Sequence, residues 1–463
     1  MKLYLHNTLG KEKQEFKTTD GTNNVRMYSC GPTVYNTAHI GNLRAYVFSD
    51  ILKRTLKCNG YSVKHVMNVT DVGHLTGEAD DSGDDKMVKA LKREGKEMTL
   101  ANMRSVADFY FERFKKDLEK LNIELPDAFP FASDHIEEDI EMIQTLLGKG
   151  FAYTTSDGIY FDTSKDPNYG KLGGISKDDE HSRIELNEEK KNYRDFALWK
   201  FSTIENLGFG ASFGAGFPGW HIECSAMSLK YLSVPFDIHT GGIDHIPVHH
   251  NNEIAQTESA TGKKMANFWI HNAFITIGEE KMAKSGENFL SLEYLGKNGV
   301  HSLAYRYWLL TGRYSTRMDY SLDAIKAAQT AYEKLHTHFN ELSTEDSQTN
   351  LNIDYKNRFN EAINNDLDTP KALAIVWELV KDSSVKDDEK RTTLLDFDKV
   401  LGLMLGSVVK EDIQITSEIQ KLLDARKIAR ENKDWQLSDE IRDKVRELGF
   451  EIKDSGEEQV LTR

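Results

Sequence analysis

Two short segments far apart in the chain carry the residue types of nucleotide chemistry. His39-Ile40-Gly41-Asn42 places small polar donors around a glycine where a helix is expected to begin, and Lys281-Met282-Ala283-Lys284-Ser285 puts two lysines into one loop. Helix-start N–H groups and positioned cations stabilise the charge that grows at phosphorus as pyrophosphate leaves. His39, Asn42, Lys281 and Lys284 therefore point to adenylyl transfer from ATP. A lysine pair alone reads as solvated loop charge and a histidine alone as a plain helix start, so the joint occurrence carries the reading.

A second set has metal-ligand chemistry. Cys30, Cys224, His249 and Glu253 offer two thiols, an imidazole and a carboxylate, a mixture that suits Zn2+ better than Mg2+. His249 and Glu253 stand at i,i+4 of an expected helix, which puts both side chains on one face. Spacing leaves His250 an equal candidate, with His239 and His245 close by, and buried apolar thiols are the plain alternative. Cys58 has no obvious partner. Three cysteines in 463 residues make no disulfide framework and fit a reducing compartment. Gly241-Gly242 would let backbone approach a nucleotide, with Asp244 placed for a ribose hydroxyl or an amino group; a tight turn is the alternative. Gly208, Gly210, Gly214, Gly216 and Gly219 match neither a Walker A loop nor a GxGxxG fingerprint and suggest a mobile loop over a pocket.

These residues need a frame. Val25 to Cys30 reads as a strand stopping at Gly31-Pro32, followed by a helix from near His39 to Lys57 and a strand within 61–69. Strand, helix, strand at that spacing opens a parallel α/β sheet, whose ligands sit at the carboxyl ends of the strands. Helices are expected over 84–122, with Phe109, Phe111, Phe114, Leu118 and Leu121 as the apolar stripe. Residues 126–205 change to a helix, short strands and charged loops, an insertion between two halves of the sheet. The second half, 206–290, carries a helix from Trp220, a strand ending at Gly241-Gly242, a helix from His249 and a strand-like 268–277. Residues 291–410 read as almost wholly helical. After a linker near 405–417, a small α/β unit at 416–463 closes the chain.

Composition agrees with a folded, multidomain chain: 39% of residues are hydrophobic and 29% charged. No apolar run approaches the roughly 18 residues of a membrane span, and the N-terminus lacks an apolar leader, so a cytoplasmic protein without a membrane partner is expected. The net charge of −15 argues against a sequence-blind nucleic-acid binder and leaves room for a local basic strip.

The segments MYSCGPTVYNTAHIGNLRAYVFSDIL, GWHIECSAMSLKYL, DIHTGGIDHIPVHHNNEIAQ and KMAKSGENF together resemble the cysteinyl-tRNA synthetase family, class I aminoacyl-tRNA synthetases with HIGH and KMSKS signatures. The resemblance is dense to about residue 320 and looser beyond. It implies an α/β fold, a Rossmann-like parallel sheet (1–125 and 206–290) around a connective insertion (126–205). An all-α bundle that meets the tRNA stem (291–410) and a small anticodon-binding α/β unit (416–463) would follow. It implies zinc on Cys30, Cys224, His249 and Glu253, choosing His249 over His250. It implies a cysteine and adenylate pocket lined by Thr33, Thr70, Trp220 and Asp244. ATP, arriving with Mg2+, would meet His39, Gly41, Asn42, Gly241, Gly242 and Lys284. The implied partners are ATP, L-cysteine and tRNA(Cys), and a monomer is expected. A soft thiolate is told from a hard hydroxyl by the metal, so no editing domain is needed.

The chain departs from the family pattern in places. Asn42 and Ala283 replace a histidine and a serine of the signatures. Asp71-Val72-Gly73-His74-Leu75 stands where an acidic TDxDDKI stretch is expected, Asn251 where glutamate is common, and the C-terminus lacks the usual ending. Residues 416–463 hold ten Lys or Arg against twelve Asp or Glu, so an RNA contact there would rest on a face of Arg426, Lys427, Arg430 and Lys433 with Trp435. The competing readings are a mycothiol-ligase-type enzyme that passes cysteine to an amino sugar, and a non-catalytic RNA-binding or structural zinc protein.

Overall fold

Val25, Met27 and Tyr28 are fully buried in strand β1 (Asn24–Ser29), which has parallel neighbours on both sides. The computed structural model describes residues 1–73, 75–77, 82–174, 189–204, 207–277, 280–281, 290–343, 350–407, 417–432, 434–448, 450–455 and 458–462. With β2 (Ser62–Met67), β3 (Phe236–Gly242) and β4 (Ala266–Asn272), β1 forms a four-stranded parallel sheet of order β4-β3-β1-β2. Strand β3 is buried along nearly its whole length, as a strand covered on both faces must be. The chain leaves β1 toward β2 and leaves β3 toward β4, in opposite directions. A crevice therefore opens between the carboxyl ends of β1 and β3, the usual ligand position in such sheets.

Helices cover the sheet. α1 (Ile40–Cys58) follows β1 and buries Ile40, Leu43, Val47 and Ile51. α2 (Lys86–Glu94) and α3 (Leu100–Lys120) follow β2. On α3 the buried stripe is Met103, Phe111, Phe114 and Leu118; Phe109 does not belong to it and is 55% exposed. At 100° per residue it falls on the opposite side of the helix from Phe111 and Phe114. Where the acidic stretch was expected after Thr70-Asp71, the chain has an antiparallel hairpin (Leu75–Gly77 with Ser82–Asp85) that leads into α2.

The insertion folds as helix α4 (Ile136–Gly148) against an antiparallel sheet of Ala152–Thr154, Gly158–Phe161, Phe196–Phe201 and Gly216–Pro218. Its last strand lies past residue 205, beyond the expected boundary. This strand also corrects the reading of the glycine run as a pocket cover. A side chain on Gly216 would stand 2.1 Å from the Lys200 carbonyl oxygen, and one on Gly219 would stand 2.0 Å from that of Ala197. These glycines permit close strand contact. Beyond them run α5 (Trp220–Leu232) and α6 (Asn251–Thr261).

Helices Ser302–Leu310, Leu322–Glu341, Ile353–Ile363, Thr369–Lys381 and Asp387–Leu401 build the next region. It is not purely helical: Met318–Asp319 pairs in parallel with Ile275-Thr276 and ties the region to the sheet domain. Most of the expected linker, 408–416, lies outside the described residues. The terminal unit has two helices, Ser417–Glu431 and Trp435–Glu447, and a hairpin, Glu451–Ser455 with Glu458–Thr462. Its core is Ile419, Leu423, Ile441, Val445, Phe450 and Ile452. Arg426 is fully buried and so drops out of the expected RNA-facing set, whereas Lys427 and Trp435 are exposed. Lys433 lies outside the described residues.

One buried charge pair joins the layers. Arg306, without solvent contact, donates to Asp50 on α1 (Nη2 to Oδ2, 2.5 Å), to the Leu401 carbonyl (2.8 Å) and to the Leu121 carbonyl (2.9 Å). Arg306→Ala removes one charge partner of buried Asp50 and the donor to two buried carbonyls, so it should destabilise the protein by about 3–5 kcal/mol, read as a shift of the urea unfolding midpoint.

Asp139 is the opposite case. It is fully buried in α4 and neither carboxylate oxygen has a hydrogen-bond partner, so burial pushes it well above its ordinary value of 3.8. An acid raised in the folded state carries no penalty below pH 3.8, and the penalty grows as pH rises toward the folded value. Asp139→Asn should therefore match the parent in stability at low pH and gain on it by up to about 1.4 kcal/mol per pH unit above 3.8. Urea titrations across pH would show this, and a gap independent of pH would contradict it.

Candidate active site and metal centre

A cavity of about 550 Å³ occupies the crevice at the ends of β1 and β3. Its walls include Cys30, Thr33, His39, Gly41 and Asn42 from the segment after β1, and Thr70 from the end of β2. Trp220 and Cys224 come from α5, with Gly241 and Gly242 from the end of β3 and Asp244 and His249 from beyond it. Glu253 lies buried behind this wall. The chain thus brings together residues predicted from five separate segments. Lys281 has its backbone in a short strand, Glu280–Lys281, paired with Thr276-Ile277, and its side chain is not described. Lys284 and Ala283 lie outside the described residues.

The segment after β1 is held by backbone. Cys30 N–H donates to the Thr240 carbonyl (3.1 Å), extending the β1–β3 ladder to the thiol. Gly31 is pressed so closely to β2 that a side chain would stand 1.7 Å from the Asn68 carbonyl oxygen. Its N–H donates to Asn68 Oδ1 (2.8 Å), and Asn68 Nδ2 donates to Thr70 Oγ1 (3.1 Å). Val34 N–H donates to the Thr70 carbonyl and Thr70 N–H to that of Pro32, so Thr33 and Thr70 face each other across a bridge. Asn68 is a positioning residue that sequence reasoning missed; its place directly before Val69-Thr70 was the available signal.

Helix α1 begins where the sequence placed it. His39 has extended backbone, and its Nδ1 accepts the Asn42 N–H at 3.2 Å, an N-cap made by an imidazole. The Ile40 N–H donates to the Leu290 carbonyl (2.8 Å), and the Tyr305 hydroxyl to the Ile40 carbonyl (2.7 Å). Gly241 and Gly242 form the last two residues of β3 rather than a tight turn. A side chain on Gly241 would meet the His250 ring at 2.6 Å, and one on Gly242 would meet Asp244 Oδ1 at 2.3 Å.

Ligand atoms of Cys30, Cys224, His249 and Glu253 all lie within 4.8 Å of one another. A turn of π-helix over Ile246–His250 precedes α6 and lets two consecutive histidines both be buried. A second grouping of Cys30, His239, His250 and Glu253 is as compact. The first holds both thiols, and three of its members face the cavity. In the second, His250 Nε2 lies 3.2 Å from Cys30 Sγ. His239 Nε2 pairs with Glu253 Oε2 (2.8 Å), and His250 Nδ1 with His271 Nε2 (2.7 Å), whose Nδ1 meets Thr8 Oγ1 (2.7 Å). His249 is fixed from behind by His221 (Nδ1 to Nδ1, 2.8 Å) and by stacking on Trp220 (ring centroids 4.3 Å apart), leaving Nε2 3.0 Å from Glu253 Oε1.

The electrostatics are those of a charge cluster out of water. The hydrogen bond from Cys30 draws Cys224 down to about 6 despite burial, while burial pushes Cys30 up. Burial opposes the charge on Glu253, yet His239 and His249 hold it at about 2. Burial likewise opposes a charged His249, but Glu253 and Cys224 raise it to about 10. Two thiols, an imidazole held from behind by His221 and a carboxylate held by His239 are a fitting donor set for Zn2+.

A parallel sheet with a capped helix after its first strand, an antiparallel insertion and a helical region beyond defines the class I aminoacyl-tRNA synthetase catalytic fold. Residues 16–330 match the family described as the class I (C) tRNA synthetase catalytic domain, and residues 413–460 match the cysteinyl-tRNA ligase anticodon binding domain. The chain is 42% identical over 467 residues to cysteine–tRNA ligase 1 of Burkholderia lata, spanning 100% of this chain and 97% of that protein. It is 42% identical over 494 residues to the cysteine–tRNA ligase of Treponema denticola, spanning 98% of each. The solved structure of Mycobacterium tuberculosis methionyl-tRNA synthetase with methionyl-adenylate shares the fold, with a TM-score of 0.55 at 15% identity over 82% of this chain and 90% of that one. The chain belongs to the cysteinyl-tRNA synthetase family.

His221 gives the metal reading a test away from the ligands. Removing a group that orients a ligating imidazole costs about 10–100-fold in metal affinity. His221→Ala should weaken zinc binding by that factor in competition with a chromophoric chelator; unchanged affinity would reduce the ring to packing.

Proposed function

We propose that the chain is a cysteine–tRNA ligase. It activates L-cysteine with ATP to cysteinyl-adenylate, then passes the cysteinyl group to the 3′-terminal adenosine of tRNA(Cys). The observation that carries this reading is a thiol, thiol, imidazole and carboxylate set opening onto the same cavity as a capped helix start.

Cys30, Cys224, His249 and Glu253 hold the zinc, which when bound favours a soft substrate thiolate over a hard hydroxyl. Thr33, Thr70, Trp220 and Asp244 line the pocket for the rest of the amino acid and the adenylate. A carboxylate oxygen of cysteine attacks the α-phosphorus of ATP, and the bond to the bridging oxygen of pyrophosphate breaks. His39, Gly41 and Asn42 at the α1 start, with Gly241 and Gly242, position the nucleotide, which enters with Mg2+. Lys281 and Lys284 supply positive charge to the leaving pyrophosphate. A ribose hydroxyl of the tRNA then attacks the activated carbonyl and AMP leaves.

Residues 126–218 serve as the connective insertion, 291–410 as the region that meets the tRNA stem and 416–463 as the anticodon-binding unit. No helix among the described residues is long and apolar enough to cross a membrane. Three free cysteines and the family support a cytoplasmic setting for a monomeric enzyme.

ATP–pyrophosphate exchange should depend on cysteine, respond weakly to serine, and disappear on zinc removal and return with zinc. Charging of tRNA(Cys) should follow, whereas exchange without charging would indicate another acceptor of the cysteinyl group. Cys224→Ser should lower cysteine-dependent exchange by about a hundredfold or more; near-normal cysteine use by that variant would sink the zinc role.

A further inference from the structure

Beside the cavity, one stretch of surface combines positive charge with an exposed ring. Residues 86–120 hold ten Lys or Arg against six Asp or Glu, in a chain of net charge −15. On α2, Lys86, Lys89 and Arg93 stand at i, i+3 and i+7, along one helix face. Two of the three reach the same cavity-wall residue: Lys86 Nζ lies 6.0 Å over the Tyr35 ring, and Arg93 Nη2 donates to the Tyr35 carbonyl at 2.8 Å. Lys89, between them, is exposed. Arg93 also donates to the Tyr110 hydroxyl (3.0 Å) and lies over its ring. Tyr110 is half-buried and lines the cavity, so it marks the rim.

Phe109 meets the Tyr110 ring edge-on at 5.2 Å and is itself 55% exposed, with the Arg113 guanidinium 5.9 Å from its centroid. Three of the six acids of this stretch are matched locally. Glu94 pairs with Arg93 and Lys96, Asp108 with Arg104 and Glu112 with Lys115, while Arg113 pairs with Glu293.

We propose that this rim receives the single-stranded 3′ end of the tRNA on its way into the cavity. Lys89 and Arg93 of α2 meet its phosphates, Lys86 being buried, and Phe109 is a stacking platform for one unpaired base. The inference rests on the ligase reading. A single strand offers both a phosphate chain and unpaired bases, which is what a cation row beside an exposed ring matches, and stacking on an aromatic side chain accepts any base. Neither Phe109 nor Lys89 lines the cavity, so the rim acts on the tRNA and not on the amino acid or ATP.

The test uses the full-length, zinc-loaded protein with Phe109→Ala and Lys89→Glu made singly. Each should lower kcat/KM for charging tRNA(Cys) about tenfold while leaving cysteine-dependent pyrophosphate exchange within about twofold of the parent. Binding of a tRNA trimmed of its single-stranded 3′ terminus should be the same for parent and variants. Exchange by the unaltered protein tests the ligase reading separately. In an exchange-competent protein, unchanged charging by both variants overturns the rim alone. Equal losses for trimmed and intact tRNA would place the contact on the duplex and overturn the assignment to the single strand.

Discussion

The Glu253 carboxylate, wholly withdrawn from water, is the charge around which the ends of β1 and β3 and the starts of α5 and α6 are arranged. A buried carboxylate is tolerated only when its lone pairs are answered. His239 answers one oxygen from within β3, and His249 approaches the other from the turn before α6. Those two histidines need support of their own, which comes from Trp220 and His221 on one side and Trp269 on the other. The polar character of the sheet's carboxyl end follows from that requirement. So does the absence of side chains at Gly241 and Gly242, where the His250 ring and the Asp244 carboxylate need the space.

Much of this was legible in the sequence because its signals are local. The α1 start at His39, β1 ending at Cys30 and the i,i+4 pair of His249 and Glu253 depend on short-range periodicity and capping. What the sequence concealed are interactions set by tertiary distance. Spacing could not separate His249 from His250, because a π turn buries both and only the position of Cys224 distinguishes them. The glycines from Gly208 to Gly219 resemble a pocket cover until Lys200 and Ala197 are seen pressed against two of them. Phe109 looked like core because its neighbours Phe111 and Phe114 are, and Arg426 looked like surface because arginine usually is. The short strand Met318–Asp319 carried too little pattern to be visible inside a helical stretch.

The Arg306–Asp50 pair has a bearing on how the parts communicate. Asp50 sits in the helix whose first turn lines the cavity, and it also accepts from Arg54 and from the Glu124 N–H. Arg306 reaches the end of helix Asp387–Leu401 through the Leu401 carbonyl. The helical region and α1 therefore meet through a dry, directional contact.

The hydrogen bond from the Ile40 N–H to Leu290 has a consequence for the second signature. Leu290 follows the eight residues 282–289, and the strand pairing of Glu280-Lys281 precedes them. Both ends of that segment are thus moored, one of them to the first residue of α1. The close of the second signature is tied to the opening of α1 by a backbone bond and depends on no side chain of either segment.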